Sequence, residues 1–330
     1  MNGDPQSLGE FELIDRYFSR SPSDGTARPD VILGVGDDAA LLRMPADREL
    51  VAAVDTLVAG RHFPIDRDAH SIGHCALAVN LSDMAAMGAT PAWATLSLTM
   101  PSADAKWLER FSAGLMSLAD AHRVAVVGGD TTAGPLTISV QILGHVAPGT
   151  ALRRSGARAG DVLAVTGTLG DAGAGLALAT ARMATRNREV ADELIRRFEY
   201  PTPRVAFGAL ARGIASAAMD LSDGLAGDLP KLARASGLAA HVDVDRLPLS
   251  PAMQSLGSGD QAREWALSAG DDYELLVAVP RQRFDELAAA ARQLNLKFTA
   301  VGELRPGNGI TWALDGRPLT APAPGYDHFR

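Results

Sequence analysis

The stretch SIGHCALAVNLSDMAAMG, residues 71–88, has the composition of a buried helix that carries one carboxylate near its end. Apolar strands are predicted on either side of it, at Leu50–Val54 and Ala92–Met100. An isolated buried carboxylate would rather take up a proton, so Asp83 needs an ionic partner or a metal ion. Asn80, three residues earlier, shares its helix face. The stretch therefore predicts a strand, helix and strand unit with polar chemistry at the end of the helix.

The surrounding sequence extends this unit into an N-terminal domain, residues 1–148. A second helix is predicted at Ala103–His122, and two further strands at Val124–Gly128 and Leu136–Val146. Neighbouring strands joined in hairpin fashion alternate here with long helices. This order is typical of an α/β or α+β domain with a mixed sheet.

A C-terminal α/β domain, residues 149–330, is predicted to begin with the strand Val162–Thr166. Its later strands alternate with helices. Helices are predicted at Asp171–Thr185, Glu189–Phe198, Pro203–Ala215, Gly224–Ser236 and Gln282–Leu294, and strands at Ala239–Val244, Glu274–Val279, Lys297–Val301 and Ile310–Leu314. The aromatic end, APGYDHFR, is expected to dock on the domain.

The composition excludes several classes of protein. The 330 residues are 47% hydrophobic, which allows a sizeable core, and the net charge of −8 argues against nucleic acid or an anionic membrane as a partner. Apolar runs end well before the roughly 20 residues of a membrane span, and no secretory leader pattern begins the chain. The single cysteine, Cys75, cannot form an internal disulfide. We expect a cytoplasmic globular protein.

Aspartate is used far more than glutamate, 28 against 11, although it is the poorer helix former. Most of the notable aspartates end an apolar run next to a small residue, where a strand or helix end opens onto a cleft. They are Asp37, Asp38, Asp55, Asp83, Asp130, Asp220, Asp223, Asp271 and Asp272. One alone is usually a cap or turn residue, but this number favours a cluster neutralised by Mg²⁺ and a polyphosphate.

Familiar nucleotide motifs are missing: there is no G-x-x-x-x-G-K-[ST], no G-x-G-x-x-G after the first strand and no kinase H-R-D or D-F-G. The glycine-rich turn TGTLGDAGAGL, residues 166–176, is compatible with an anion at a helix N-terminus and equally with close helix packing. His62, taken alone, is an ordinary surface or core histidine.

A set of motifs in order along the chain resembles the thiamine-monophosphate kinases. The motifs are GVGDDAALL, VDTLVAGRHF, AVNLSDMAAMGATPAW, VGGDTTAGPL, RRSGARAGD, MDLSDGLAGDL, SAGDDYELL and GYDHF, and the match as a whole runs from about Gly9 to Phe329. The same superfamily contains aminoimidazole ribonucleotide synthetase, selenophosphate synthetase and a hydrogenase-maturation protein.

The resemblance implies a homodimer formed through the N-terminal sheet, with ATP bound near the interface, and a C-terminal domain that completes the nucleotide and substrate site. It also implies transfer of a phosphoryl group from ATP directly and in line to thiamine phosphate, assisted by several Mg²⁺ ions. Asp130 and Arg154 would be catalytic. The implied metal ligands are Asp38, Asp55, Asp83, Asp130, Asp220 and Asp223; the implied ATP contacts are Gly129, Asp130, Arg154 and Ser222; the implied substrate contacts are His62, Asp271 and Tyr326.

The chain departs from the family pattern in two places. Ala53 and Val54 stand where hydroxyl residues often precede the DTL aspartate, and Asp271 stands where glutamate is frequent. The first change removes side-chain oxygens near a metal, and the second shortens a substrate contact.

Two alternatives remain at this stage. One is another ATP-dependent enzyme of the superfamily, such as an aminoimidazole ribonucleotide synthetase; a selenophosphate synthetase would need a reactive cysteine before Cys75, and none occurs. The other is a non-enzymatic protein, an acidic divalent-ion buffer or assembly module, although no D-x-[DN]-x-[DN]-G-x₅-E loop is present.

Overall fold

The computed structural model describes residues 10–18, 28–256, 259–323 and 325. The chain divides into two compact units, one from residues 1–81 and 90–148 and the other from residues 82–89 and 149–330. Residues 82–89, which the sequence analysis assigns to the N-terminal domain, therefore pack with the second unit.

The first unit contains a four-stranded mixed sheet in the order β3, β6, β4, β5, in which only the β4 and β5 pair is parallel. Its elements are α1 (Glu10–Tyr17), β1 (Val31–Leu33), β2 (Leu41–Leu42), β3 (Glu49–Val58), α2 (Ala69–Ala86, ending in the second unit), β4 (Thr90–Met100), α3 (Ala105–Ala121), β5 (Ala125–Ala133) and β6 (Thr137–Val146). The helix predicted at residues 71–88 is α2. It contacts α3 through glycines: a Cβ on Gly73 would lie 2.0 Å from the Phe111 carbonyl oxygen.

One face of β3 is exposed although it is largely apolar. Exposure alternates along the strand, so that Leu50, Ala52, Val54 and Thr56 are exposed and the residues between them are more buried. The exposed fractions of Leu50 and Val54 reach 57% and 62%. Contiguous exposed apolar patches are typical of interaction surfaces.

The second unit contains a seven-stranded mixed sheet in the order β13, β12, β9, β11, β7, β10, β8, in which β12 runs parallel to β9. Its strands are β7 (Val162–Thr166), β8 (Ala217–Leu221), β9 (Ala239–Asp243), β10 (Glu274–Val279), β11 (Phe298–Arg305), β12 (Ile310–Leu314) and β13 (Arg317–Leu319). Its helices are α4 (Asp171–Ala179), α5 (Arg188–Glu199), α6 (Val205–Ala211), α7 (Leu225–Ala235), α8 (Pro251–Ser255), α9 (Gly259–Ser268) and α10 (Phe284–Gln293).

Helices cover both faces of this sheet. Leu276 of β10 belongs to a core with Leu229 of α7, whereas Val277, on the opposite face, belongs to a core with Phe207 of α6 and Leu287 of α10. Strands β7, β8 and β10 are buried along their whole length because they lie between these layers. The α/β fold with two mixed sheets is confirmed.

Several predicted element bounds are wrong. Helix α4 ends at Ala179 and not at Thr185, because Ala181 takes a left-handed backbone conformation (φ 54°). The helix predicted at Pro203–Ala215 is only Val205–Ala211, and the strand Ala217–Leu221 follows it. That strand, β8, carries Asp220 and leads into the candidate site.

Candidate functional site

The first unit holds two predicted metal ligands at opposite edges of its sheet. Asp55 lies on β3 and Asp130 on β5. Thr56, Ser139, Ser97 and Asp130 form one row across the strands, and Thr56 Oγ1 lies 2.8 Å from Ser139 Oγ. Three strand spacings of about 4.8 Å separate the two edges by about 14 Å. Because Asp55 lies one residue before Thr56, its side chain is on the other face. One copy of this sheet does not bring the two carboxylates together.

Gly129, a predicted ATP contact, is required by the packing of β5 on β4. Its φ is 154°, and a Cβ at this position would lie 1.8 Å from the carbonyl oxygen of Leu96. No other residue fits there without a shift of the backbone. The glycine before Asp130 is thus explained by the sheet itself, and its role toward ATP stays a prediction.

Asp38 lies in the exposed segment between β1 and β2. Its backbone N–H donates a hydrogen bond of 2.8 Å to Oδ1 of Asp37, and both side chains are exposed. Asp37 therefore stabilises its own turn, whereas the carboxylate of Asp38 is accessible to a ligand.

His62 lies in the turn that follows β3, and its ring orientation is fixed. The backbone N–H of Val58 donates to Nδ1 of His62 at 2.9 Å. Because Nδ1 accepts this bond, the neutral ring carries its proton on Nε2. The hydrogen bond therefore ties the ring to the end of β3.

In the second unit, a hydrogen bond joins the end of α2 to β8. Ser82 Oγ donates to Oδ2 of Asp220 at 3.0 Å, and both residues are buried. Asp83, the next residue of α2, is half-buried. The hydrogen bond thus ties together the two short segments that carry the predicted ligands Asp83 and Asp220.

The loop after β8 is organised by a carboxylate that the sequence analysis does not identify. Asp228, fully buried in the first turn of α7, accepts from the backbone N–H of Ser222 (3.0 Å) and of Asp223 (2.9 Å). Lys231 Nζ bridges Oδ1 of Asp228 (2.8 Å) and Oδ2 of Asp223 (2.5 Å). Burial raises the pKa of Asp228, and Lys231 opposes that effect. The predicted ATP and metal residues Ser222 and Asp223 therefore have a fixed backbone.

The predicted substrate residue Asp271 lies directly beside this loop. Its backbone N–H donates to the Ser222 carbonyl at 2.9 Å, and the N–H of Tyr273 donates to the Leu221 carbonyl at 3.0 Å. Gly270 allows the approach, since a Cβ there would lie 2.3 Å from the Ser222 oxygen. The structure thus brings Ser222, Asp223 and Asp271 together.

The neighbouring carboxyl group, Asp272, faces the glycine-rich turn. Its Oδ2 accepts from the N–H of Gly170 (2.6 Å) and its Oδ1 from the N–H of Ala172 (3.2 Å), at the N-terminus of α4. Burial, reinforced by the charge of Asp171, raises the pKa of Asp272 to about 8, against the opposing effect of these hydrogen bonds and of Arg197. The N-terminus of α4 therefore binds a carboxyl group of the chain itself.

Glu274 forms the second buried acidic contact under this loop. Its carboxylate accepts hydrogen bonds from Arg204 (Nε at 2.6 Å), Arg197 (Nη2 at 3.1 Å) and Thr166 (Oγ1 at 2.7 Å). Burial alone would raise the pKa of Glu274, but the two guanidinium groups hold it below its usual value. Gly167 leaves room for the carboxylate, because a Cβ there would lie 1.9 Å from Oε1.

One predicted residue of the second unit, Arg154, is not placed with this group. The Arg153 carbonyl accepts from the N–H of Ala218, so the backbone beside Arg154 lies at the start of β8, about four residues or 13 Å from Ser222. Arg154 itself is exposed. Tyr326 lies outside the described residues. The chain just before it is docked as expected: Ser268 Oγ donates to the Ala323 carbonyl at 3.0 Å, and Gly325 packs against Asp223.

In the described ranges no group of three or more His, Cys, Asp or Glu side chains is arranged to hold a metal ion.

A cavity of about 450 Å³ opens in the second unit beside β9 and β11, and none of the predicted site residues lines it. Its arginines are already paired: Glu303, for example, holds Arg281 and Arg305, each at 2.9 Å. The three arginines of the lining, Arg246, Arg281 and Arg305, are therefore each paired with a carboxylate of the chain.

None of the helices in the described part of the chain combines the length and apolar character that a membrane crossing requires.

Comparison with known proteins identifies relatives along nearly the whole chain. The AIR synthase related protein N-terminal domain matches residues 36–146, and the corresponding C-terminal domain matches residues 158–314. The thiamine-monophosphate kinase of Salmonella typhimurium is 49% identical over 324 residues, 98% of this chain and 99% of the relative.

Two solved structures are also similar. The thiamine-monophosphate kinase of Stenotrophomonas maltophilia K279a has a TM-score of 0.86 and 46% identity, and the match covers 95% of this chain and 99% of that one. AaThiL, solved in complex with AMPPCP and TMP, has a TM-score of 0.77 and 32% identity, with 98% and 97% covered.

Proposed function

Because the chain belongs to the AIR synthase related family and, within it, to the thiamine-monophosphate kinases, we propose that it transfers the γ-phosphoryl group of ATP to the phosphate of thiamine phosphate. The products are ADP and thiamine diphosphate. The complex of AaThiL with AMPPCP, an ATP analogue, and TMP supports this pair of substrates. The chain is thus a phosphotransferase whose acceptor is itself a phosphate group.

One observation carries the proposal on the structural side. The loop after β8 and the loop before β10 are joined by the hydrogen bond from Asp271 N–H to the Ser222 carbonyl. This bond unites the residues proposed to contact ATP (Ser222), metal (Asp223) and substrate (Asp271). A phosphoryl donor and its acceptor must be held side by side in the same way.

The chemistry asks little of the protein beyond positioning and charge. The acceptor phosphate has a second pKa of about 6 and is ionised at neutral pH, so no general base is assigned. We propose that an acceptor oxygen attacks the γ-phosphorus in line while Arg154 stabilises phosphate charge. His62 is proposed as a further contact to the substrate. Asp271 and Tyr326 complement its cationic aromatic part by charge and by ring contact.

Magnesium fits the proposed ligands by its preference for oxygen. Mg²⁺ is usually held by one or two carboxylates together with phosphates and waters, so a preformed cage of three acids is not required. Asp220 and Asp223 follow one another at the end of β8 and can supply such carboxylates in the second unit. We propose Asp38, Asp55, Asp83 and Asp130 as the other ligands. When bound, the ions would reduce the repulsion between ATP and the acceptor phosphate.

We further propose that two copies associate through the exposed face of β3. Leu50 and Val54 are the exposed apolar residues of that face. Asp55 and Asp130 lie at opposite edges and on opposite faces of one sheet, about 14 Å apart by strand spacing, so one copy does not bring the two carboxylates together. We therefore propose that the metal and ATP site lies at the interface, where the edges of two sheets meet.

A cytoplasmic location is also proposed. Cys75 is the single cysteine and is buried, so the chain does not depend on a disulfide for stability. ATP and a phosphorylated acceptor, the substrates proposed here, are metabolites of that compartment.

The test is a labelled transfer reaction. With [γ-³²P]ATP, thiamine phosphate and Mg²⁺, the label should appear as the terminal phosphate of thiamine diphosphate, and removal of Mg²⁺ with a chelator should stop transfer. A chiral γ-phosphorothioate should be transferred with inversion, as a single in-line step requires. Retention would contradict direct transfer. ADP release with formylglycinamidine ribonucleotide, and none with thiamine phosphate, would favour an aminoimidazole ribonucleotide synthetase instead.

A further inference from the structure

The loop before β10 contains two residues in a backbone conformation that side chains rarely adopt. Asp271 has φ 67° and Tyr273 has φ 49°, and neither is glycine. The left-handed region is unfavourable for residues with a Cβ and is kept only where the surroundings impose it. Such strain concentrates at functional sites. The structure shows what imposes it here.

The backbone of the loop is held on one side by β8 and the residue after it. Asp271 and Tyr273 donate their N–H groups to the carbonyls of Ser222 and Leu221. These two bonds continue the pairing of β10 with β8 beyond the regular strand. They fix the position of the loop but leave the side chains between them to be anchored elsewhere.

The side chains of Asp272 and Glu274, which alternate along the loop with Asp271 and Tyr273, hold it on the other side. Asp272 accepts from the N-terminal N–H groups of α4, and Glu274 is held by Arg204, Arg197 and Thr166. Both carboxyl groups are buried. The loop is thus clamped from both sides, and neither anchor has any part in the transfer chemistry described above.

Asp271 itself is in contact with the same loop. Its Oδ1 accepts a hydrogen bond of 3.3 Å from the hydroxyl of Tyr273, which is largely buried. A carboxylate whose backbone is fixed and whose oxygen is bonded has few rotamers left. It is therefore aimed in one direction before any substrate arrives.

We propose that Asp272, Tyr273 and Glu274 are positioning residues, which hold Asp271 in the strained conformation that directs its carboxylate at the cationic part of thiamine phosphate. The inference rests on the proposed function, in which Asp271 binds this substrate. Since the three residues act through Asp271, their removal weakens binding of thiamine phosphate and leaves binding of ATP nearly unchanged.

The experiment compares Glu274→Gln and Tyr273→Phe by steady-state kinetics, with each substrate varied in turn. Glu274→Gln should raise KM for thiamine phosphate about tenfold, the effect of a lost charge-assisted hydrogen bond, and KM for ATP less than about twofold. Tyr273→Phe should raise the same KM severalfold. Glu303→Gln, which also removes a carboxylate shared by two arginines, and Tyr17→Phe, which removes a hydroxyl bonded to the Ala105 carbonyl, are matched controls and should leave both constants unchanged.

A double-mutant cycle separates positioning from a general structural effect. In an Asp271→Asn background, Glu274→Gln and Tyr273→Phe should add less than about twofold, because the group they position is already lost. Effects that multiply in that background, or KM values for ATP and thiamine phosphate that rise together, overturn the inference. If Glu274→Gln does not fold, Tyr273→Phe decides alone, and an unchanged KM for thiamine phosphate refutes the proposal. Failure of the proposed function would differ, since the unmodified chain would then show no activity dependent on thiamine phosphate.

Discussion

Replacement of Asp272 by asparagine should make the stability of the protein less dependent on pH in a calculable way. Three acidic side chains, Asp171, Asp272 and Glu274, are buried beside two arginines, Arg197 and Arg204. A proton on Asp272 leaves two negative charges against two positive charges. The pKa of Asp272 is raised from 3.8 to about 8, chiefly by burial. Between these values the native protein keeps a proton that the unfolded chain releases.

The sign follows from that proton. Because the folded state binds more protons, stability falls as pH rises from about 4 to about 8, by about 1.4 kcal/mol per pH unit, and is constant above pH 8. The whole effect is about 6 kcal/mol for a shift of about 4 pH units. Asparagine has no such proton. From pH 5 to pH 7 the free energy of unfolding of Asp272→Asn should therefore gain about 2.7 kcal/mol relative to the unmodified chain.

Urea unfolding at pH 5, 6, 7 and 9, followed by tryptophan fluorescence, measures this difference. Trp265 is a suitable reporter because it packs beside Gly173 of α4, the helix that Asp272 caps. Asp260→Asn, at a side chain 94% exposed, is the control and should keep the pH dependence of the unmodified chain. The reasoning is refuted if the difference in the free energy of unfolding between Asp272→Asn and the unmodified chain stays constant from pH 5 to pH 7. It is also refuted if Asp272→Asn loses stability relative to the unmodified chain over that range.

Three further changes test other contacts. Gly129→Ala should lower the free energy of unfolding by about 2 kcal/mol or more, because its Cβ would lie 1.8 Å from the Leu96 carbonyl oxygen. Gly128→Ala is the control and should cost far less, since no atom lies within 4 Å of the added Cβ. Equal melting temperatures for the two variants would contradict this. Ser82→Ala should lower the free energy of unfolding by about 1–3 kcal/mol, because it removes a hydrogen-bond donor from buried Asp220. Ser112→Ala, whose hydroxyl bonds to the Glu109 carbonyl of its own helix, should cost less, and thermal unfolding compares the two variants. Val54→Lys should give monomers without kinase activity, as measured by light scattering and by the labelled transfer assay. Leu210→Lys, which also replaces an exposed apolar residue, is the control and should remain dimeric. If Val54→Lys is dimeric and active, the exposed face of β3 is not the interface.

Apolar runs bounded by turn residues were enough to predict much of the fold. The strands Val162–Thr166, Glu274–Val279 and Ile310–Leu314 have the bounds given by the sequence pattern. Strand β8 was missed because Ala-Ala-Met-Asp-Leu contains no β-branched or aromatic residue. It is a strand because it pairs with β10 between two helical layers, and that is decided by tertiary structure.

The candidate site was predictable only where a motif is local. Ser222 and Asp223 share one loop, and the acidic residues before β10 are adjacent, so sequence patterns identify them. The contacts that hold these loops could not be predicted, because the partners are remote in sequence: Asp272 bonds to Gly170 and Ala172, about 100 positions away, and Glu274 bonds to Arg204 at a separation of 70. Asp228 offered a weak signal as an acid in the first turn of a helix just after the Ser-Asp-Gly turn.

Adjacent carboxylates in this chain do not share one explanation. Divalent metal is the explanation that the sequence pattern suggests for such groups. Asp271 and Asp272 nevertheless lie side by side without an ion, because Asp271 accepts a hydrogen bond from Tyr273 and Asp272 caps α4. Burial also raises the pKa of Asp272, so that the pair need not carry two charges at neutral pH. Asp37 and Asp38 differ, since both are exposed and only Asp37 bonds to the local backbone. Between these two pairs, accessibility to solvent therefore favours Asp38 as a metal ligand and argues against Asp272.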